Sequence, residues 1–325
     1  MRKLICFLVA MILFLSISGK ATATTMVDFV FIVDATNSME DEIAAVKNGL
    51  GGFVTGLNAA DLDYRFSMVL FGGAPELVLD WTTDASATET AFNTISVNGA
   101  VPGFQNNHNV NPEAGLEAIR IVLGDAKYKN TLRRDNVGGA GDLIFRDGAQ
   151  KNLILVTDED SDAPYYNIVN GEHQGEPPTD ITSPSAFGWQ NEVTLTAKAI
   201  IDNHAFVNLI INANDDPSRW QYGDPDQDVS DSNFLNFDAG TTLANLITEG
   251  FGNSLEGQVL DADLIARAFN INDINNTSFI DNFFAAKIQE VVENQYDPIP
   301  EPSTMLLLGF GLIGFVGATR RKLKK

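Results

Sequence analysis

Residues 27–38 decide the fold of this chain, and they read Val27-Asp28-Phe29-Val30-Phe31-Ile32-Val33-Asp34-Ala35-Thr36-Asn37-Ser38. The β-branched and aromatic residues at 29–33 predict a strand that is buried on both faces. Apolar residues then recur with helical spacing at Ile43, Val46 and Leu50. A strand, a short loop and a helix in this order place the loop at the carboxyl end of a parallel sheet, where open α/β proteins usually bind their ligands.

The loop carries one carboxylate and two hydroxyl groups at alternate positions, on Asp34, Thr36 and Ser38. Oxygen ligands of this kind suit a hard cation such as Mg2+, Ca2+ or Mn2+. The same residues also have a purely structural explanation. In that alternative Ser38 caps the following helix, the acids at 40–42 complement its dipole, and Asp34 is an ordinary loop acid.

The charges of the 325-residue chain, which sum to −22, are unevenly distributed. Eight of the 21 basic residues but only one acid, Glu301, lie in residues 1–23 and 298–325, so residues 24–297 have a net charge of −29. Such a body repels nucleic acid and anionic membranes, and we expect it to bind neither. The one cysteine, Cys6, lies in the first segment, so the middle can form no intrachain disulfide.

The amino-terminal segment has the pattern of a secretory signal peptide. A basic start is followed by an apolar run at 4–17 and by the small residues Ala21-Thr22-Ala23. We therefore assign residues 1–23 to a signal peptide. A permanent anchor is the alternative, and the small residues of the cleavage site argue against it.

The carboxyl-terminal segment has three parts. Residues 296–304 are rich in proline and cannot form a helix or a central strand. Residues 305–319 are apolar and spaced by glycine, and residues 320–325 form a basic tail. The stretch from Met305 to Ala318 spans only about 21 Å as a helix, against about 30 Å for a hydrocarbon core, so it is a marginal transmembrane segment. The positive-inside rule keeps the basic tail in the cytoplasm and the acidic body outside.

Pro-Glu-Pro-Ser-Thr, a short apolar segment and a basic tail, in this order, resemble the PEP-CTERM sorting signal over residues 300–325. The resemblance implies a bacterium with an outer membrane, in which the protein is anchored transiently in the inner membrane. An exosortase-type enzyme would then process it near Pro300, Glu301 and Pro302, leaving it at the cell surface or outside the cell. A plain membrane anchor is the alternative.

Predicted strands and helices alternate through the body of the chain. Strands follow the first one at 63–71, 77–81, 152–157, 205–211 and 257–261, and helices are predicted at 39–50, 86–94, 112–123, 190–204 and 278–293. This alternation predicts one α/β domain, at 26–295, with a doubly wound, mostly parallel sheet and helices on both faces. We assign no chemistry to the insertions at 124–150 and 212–240. The second resembles an EF-hand calcium loop but lacks its glycine and its final glutamate.

Two further carboxylates are predicted at the same rim of the sheet as Asp34. Asp158 follows the strand at 152–157, and Glu113 falls in the first turn of a helix capped by Asn111. For Glu113, a helix-dipole role is the alternative. Together with Thr36 and Ser38, these residues supply three carboxylates and two hydroxyls.

Residues 30–39 resemble the first motif of the von Willebrand factor A (VWA) domain, and residues 111–115 and 153–158 are similar to its two later motifs. The resemblance implies a Rossmann-like fold with a metal-ion-dependent adhesion site (MIDAS), formed by Asp34, Thr36, Ser38, Glu113 and Asp158. It implies that Thr36 and Ser38 coordinate Mg2+ directly, with Ca2+ or Mn2+ as alternatives. Glu113 would lie on or close to the metal, and the two aspartates would act mainly through water or hydrogen bonds.

An open coordination position on such a metal would accept an acidic group of a protein or glycan partner. We therefore expect a binding protein of the cell surface or extracellular matrix, active in adhesion or biofilm, and not an enzyme. One alternative is a metal-assisted hydrolase, although no nucleophile–base pair accompanies the predicted site. The other is a structural surface protein in which the metal only stabilises the fold.

Overall fold

A computed structural model describes residues 24–95, 113–134, 139–162, 164, 168–169, 172–173, 189–211, 222, 243, 266–271 and 277–293. Within them, six strands form one sheet: β1 Met26–Asp34, β2 Asp63–Phe71, β3 Glu76–Thr82, β4 Gln150–Val156, β5 Ala205–Ile211 and β6 Ala266–Asn270. The strands lie in the order β3-β2-β1-β4-β5-β6. Neighbours are parallel except at one edge, where β3 pairs antiparallel with β2.

The helices complete a doubly wound fold, which confirms the fold class that the sequence predicts. They are α1 Glu40–Ala59, α2 Ala85–Thr94, α3 Gly115–Val122, α4 Trp189–Asp202 and α5 Thr277–Glu293, with short 3-10 helices at Asn37–Met39 and Ala126–Tyr128. Two-residue strands at Ile168–Val169 and Glu172–His173 pair as a separate hairpin. The compact unit of the domain spans Thr25–Asn294.

Strand β1 lies at the centre of the sheet, and its residues from Val27 to Asp34 are all buried. Alternate side chains enter two separate cores, as expected for a strand covered on both faces. Val30 and Ile32 pack with α3 and α4, whereas Phe29 and Phe31 pack with α1, α2 and α5. The uninterrupted apolar run at 29–33 is therefore explained by burial from both sides.

Helix α5 packs along α1 through an aromatic stack. The ring centroids of Phe53 in α1 and Phe284 in α5 are 4.4 Å apart. One turn further along both helices, Ile288 lies over Gly56, where a Cβ would clash with its side chain. The small residue therefore allows the last helix to lie close against α1.

The insertion at 124–150 closes the amino end of the sheet, a structural role that the sequence does not predict. Asp28, at the start of β1, is fully buried and accepts hydrogen bonds from two arginines. Arg65 comes from the neighbouring β2, and Arg146 comes from the insertion. Because a buried carboxylate needs full compensation of its charge, this pairing anchors the insertion to the sheet.

The structure corrects one helix boundary. The sequence predicts a helix from Pro112 with Glu113 in its first turn, but α3 begins at Gly115 and its N-cap is Ala114. The amide of Leu116 donates to Ser161 in another loop, so the helix start is not set by a side-chain cap at Ala114. Asn111 and Pro112 lie outside the described residues.

Several predicted segments fall outside the described part of the chain. They include the strand predicted at 257–261, whereas the sixth described strand of the sheet spans Ala266–Asn270. The signal peptide at 1–23, the proline-rich segment at 296–304, the apolar segment at 305–319 and the tail at 320–325 also fall outside it. Among the helices that the structure does describe, none is both long enough and apolar enough to cross a membrane.

Candidate metal centre

The candidate centre lies where β1 and β4 end, at the carboxyl edge of the sheet. Asp34 is the last residue of β1 and is fully buried. Asp158 follows β4 at the same edge, because the two strands are parallel neighbours with Val33 paired to Val156. The fold thus brings together two acids that are more than a hundred residues apart in sequence.

Hydrogen bonds occupy both carboxylate oxygens of Asp34. Its Oδ1 atom accepts from the backbone N of Thr36 at 2.9 Å and from Thr36 Oγ1 at 2.8 Å. Its Oδ2 atom accepts from Thr157 Oγ1 at 2.9 Å. Asp34 therefore orients the Thr36 hydroxyl. Asp34 is itself oriented by Thr157, the residue that precedes Asp158.

A hydroxyl chain links the two acids across the rim. Thr36 Oγ1 lies 3.3 Å from Ser38 Oγ, and Ser38 Oγ donates to Asp158 Oδ1 at 3.0 Å. The structure gives no support to the alternative in which Ser38 caps the helix. The N-cap of α1 is Met39, and no side chain caps it.

Glu113 joins the centre from the loop before α3. Burial first, and then the charges of Asp34, Glu159, Asp158 and Asp162, together raise the pKa of its carboxyl to about 9. These electrostatic effects require the Glu113 carboxyl to lie near the other acids. The structure therefore brings all five predicted residues to one rim, although the Glu113 carboxyl has no direct contact recorded with either hydroxyl.

The acids of this rim are difficult to ionise without a counter-charge. Burial raises the pKa of Asp34 to about 7, against the opposing effect of its hydrogen bonds from Thr36. Burial also raises the pKa of Asp158, opposed by the hydrogen bond from Ser38. Closely spaced carboxyls with raised pKa values favour either protons or a bound cation. A divalent cation therefore fits the electrostatics of this rim.

The chemical types of the side chains at this rim limit which of them could bind a cation. Within the described residues, no group of three or more His, Cys, Asp and Glu side chains is arranged to hold a metal ion by itself. A cation here would need the hydroxyls of Thr36 and Ser38 as well as the carboxylates. Oxygen donors of this mixed kind fit Mg2+, Ca2+ or Mn2+ better than softer metals.

The structure adds residues that the sequence does not reveal. Thr157 bonds to Asp34, and Ser161 and Asp162 bond to the loop of Glu113 and the start of α3. The run of acids after β4 is visible in the sequence, but nothing in it indicates that Asp162 contacts a residue 49 positions earlier. Glu42, predicted only to complement a dipole, has a pKa that is raised by burial and also by the charge of Asp158.

Tyr222 connects the second insertion to the rim. It is fully buried, although it belongs to the acidic insertion at 212–240. A Cβ atom at Gly115 would lie 2.4 Å from the Tyr222 hydroxyl, so only glycine fits at this first position of α3. Burial raises the pKa of Tyr222, opposed by Ser161 and increased by nearby acids that include Asp34.

Comparison with known proteins identifies the carboxyl-terminal signal. Residues 298–322 match the PEP-CTERM protein-sorting motif. This match confirms the sorting signal that the sequence predicts. It implies that the protein is exported, anchored in a membrane and then processed by an exosortase, which is a membrane enzyme. A search of curated proteins found no match to the sequence.

Solved structures similar to the chain include VWA domains and adhesins. The pilus adhesin SpaC from Lactobacillus rhamnosus GG is 13% identical with a TM-score of 0.43, over 84% of this chain and 31% of that one. The SpRpn10 VWA domain is 10% identical with a TM-score of 0.39, over 78% and 96% of the two chains. An aerotolerance-related membrane protein from Bacteroides fragilis NCTC 9343 is 13% identical with a TM-score of 0.39, over 82% and 99%.

These likenesses carry no family, ligand or activity to this chain. The identities are 13% or less, and the TM-scores do not exceed 0.43. The chain also spans only about a third of the length of SpaC, at 31%.

Proposed function

We propose that this chain is an exported surface protein whose domain binds a divalent cation, with Mg2+ as the first candidate, and through it an acidic group of a protein or glycan. The observation that carries this proposal is the hydrogen-bonded series Asp34–Thr36–Ser38–Asp158 at the carboxyl edge of the sheet. It places two hydroxyls between two acids. Glu113 lies close enough for the charges of both acids to raise the pKa of its carboxyl.

The donor set explains why such a cation would attract an external acid. Thr36 and Ser38 would hold the cation through neutral hydroxyl oxygens, and the oxygens of Asp34 are already engaged in hydrogen bonds. Because part of its coordination is neutral, the bound cation would keep a net positive charge and supply a Lewis-acidic position. A carboxylate from outside is a suitable ligand for that position.

Cation binding is tested first. Isothermal titration of the chelated protein with Mg2+ and Mn2+ should show one site, which should be lost in Ser38→Ala and Asp158→Ala. Asp84→Ala is the matched control, since Asp84 caps α2 and does not belong to the candidate centre. No measurable cation binding by the wild-type protein would overturn the proposal.

Partner binding is tested with probes that differ only in charge. Immobilised acidic polysaccharides and peptides with a free carboxylate should retain the protein in Mg2+, whereas neutral polysaccharides and amidated peptides should not. Excess chelator should release the protein. Equal retention with and without chelator would contradict a role for the metal in binding, and would leave a purely structural cation as the better explanation.

The proposal is for a binding protein and not an enzyme. A metal-assisted hydrolase needs a base beside the cation, and histidine is the most frequent choice. His204 is exposed and precedes β5, at the edge of the sheet opposite the candidate centre. Assays with phosphoester and peptide substrates should show no turnover above that of the Asp158→Ala variant.

A further inference from the structure

Helix α3 begins beside the candidate centre without a side-chain cap of its own. Its N-cap residue is Ala114, which has no side-chain acceptor for the free amides of the first turn. The amide of Leu116 instead donates to Ser161 Oγ at 3.1 Å. Ser161 belongs to the loop after β4 and is fully buried. The start of α3 is therefore capped from a different part of the chain.

Asp162 adds a reciprocal pair of hydrogen bonds to the same junction. The backbone N of Glu113 donates to Asp162 Oδ2 at 2.9 Å. The backbone N of Asp162 donates to the carbonyl oxygen of Glu113 at 3.1 Å. Glu113 is thus bonded through both its amide and its carbonyl to the loop that also carries Asp158.

We propose that Ser161 and Asp162 are positioning residues, which together form a clamp that fixes Glu113 relative to Asp158 at the cation site. This inference rests on the proposed function. The clamp joins the two loops that carry these carboxylates, so neither loop can shift without breaking its hydrogen bonds. Two carboxylates that would otherwise repel each other are held at one separation.

A fixed separation makes the clamp a determinant of which cation is bound. Mg2+ requires nearly ideal octahedral geometry at about 2.0–2.1 Å, whereas Ca2+ accepts variable geometry at about 2.3–2.6 Å. Release of the Glu113 loop should therefore weaken Mg2+ binding more than Ca2+ binding. A residue that only stabilised the fold would weaken both equally, through the fraction of folded protein.

The experiment compares Mg2+ and Ca2+ affinities of four proteins by isothermal titration. Asp162→Ala removes the acceptor for the Glu113 amide and should lower the Mg2+ affinity at least about tenfold, with a change of about threefold or less for Ca2+. Asp162→Asn keeps an oxygen acceptor at this position and should restore the Mg2+ preference. Asp84→Ala removes a helix cap at α2 and should leave both affinities unchanged.

Hydrogen exchange of the Glu113 and Leu116 amides in chelated protein provides a readout that needs no metal. Both amides should exchange faster in Asp162→Ala than in wild type, and Ser161→Ala should affect mainly Leu116. If wild type binds cations but Asp162→Ala keeps the same ratio of Mg2+ to Ca2+ affinity, the clamp inference is overturned and the proposed function stands. If wild type binds no cation, the proposed function fails, and unchanged amide exchange would then overturn the clamp as well.

Discussion

Asp34 combines complete burial with three hydrogen bonds, and this combination gives its carboxyl an unusual titration. Burial raises its pKa to about 7, whereas an exposed aspartate titrates at about 4. Between these values the folded, metal-free protein binds more protons than the unfolded chain. Its free energy of unfolding therefore falls as the pH rises through this interval. Glu113 extends the same trend towards its pKa of about 9.

We predict that the melting temperature of chelated protein falls as the pH rises from about 4 to about 7, and that Asp34→Asn makes this fall shallower. The asparagine cannot ionise, so its contribution no longer depends on pH. Mg2+ should protect wild type increasingly at higher pH, because it binds the ionised carboxylates. Thermal denaturation across this pH range, with and without chelator, measures both effects. Parallel curves for wild type and Asp34→Asn would contradict the raised pKa.

Among the elements, α3 depends most on distant parts of the chain. Its amino end is capped from the loop after β4, and its first residue, Gly115, contacts Tyr222 from the second insertion. An insertion with no predicted role is thus attached beside the candidate centre through one buried tyrosine.

We predict that Gly115→Ala destabilises the domain by about 1–3 kcal/mol, because the added methyl overlaps the Tyr222 hydroxyl. Tyr222→Phe in the same chain should recover part of the loss, since it removes the overlapping oxygen. Gly51→Ala is the control, because Gly51 lies in α1 with no atom near its Cβ position. That change should stabilise by up to about 1 kcal/mol. Urea unfolding measures all three, and equal effects at the two glycines would contradict the close contact.

The sequence predicts those strands and helices whose bounds depend on neighbouring residues. The apolar run at 29–33 identifies β1, because a strand that is covered on both faces needs continuous apolar residues. The alternating apolar residues at 63–71 identify β2. The start of α3 is predicted wrongly, since its cap comes from Ser161 and not from a neighbouring residue. Long-range capping leaves no local pattern.

The same distinction applies to the candidate centre. Asp34, Thr36 and Ser38 could be selected because they alternate along one loop, and Asp158 because it ends a second buried strand. Asp162 could not be assigned a role, because its contact with Glu113 arises only when two loops meet. Whether a cation binds there stays a prediction.

For the whole molecule, the sorting motif at residues 298–322 determines how the protein reaches its destination. We predict that replacing Pro300, Glu301 and Pro302 together by alanine blocks processing, so that the full-length chain accumulates in the membrane fraction. The motif is the feature that the processing enzyme would recognise. Mass spectrometry of membrane and extracellular fractions measures the result. Gln295→Ala, which lies upstream of the matched residues, is the control. Normal release of the triple variant would contradict the prediction.

Helix α5 runs in the same direction as α1, since Phe284 lies over Phe53 and Ile288 lies over Gly56. Helix α1 starts next to the Asp34 rim and ends just before β2, so Glu293 lies at the other edge of the sheet, where Thr25 also pairs with Asp63. A biosensor surface, dye or fusion tag that is joined to either end of the domain would therefore be attached at the edge of the sheet remote from Asp34. Immobilised in this way, the protein would present its candidate centre to soluble analytes on the side away from the support.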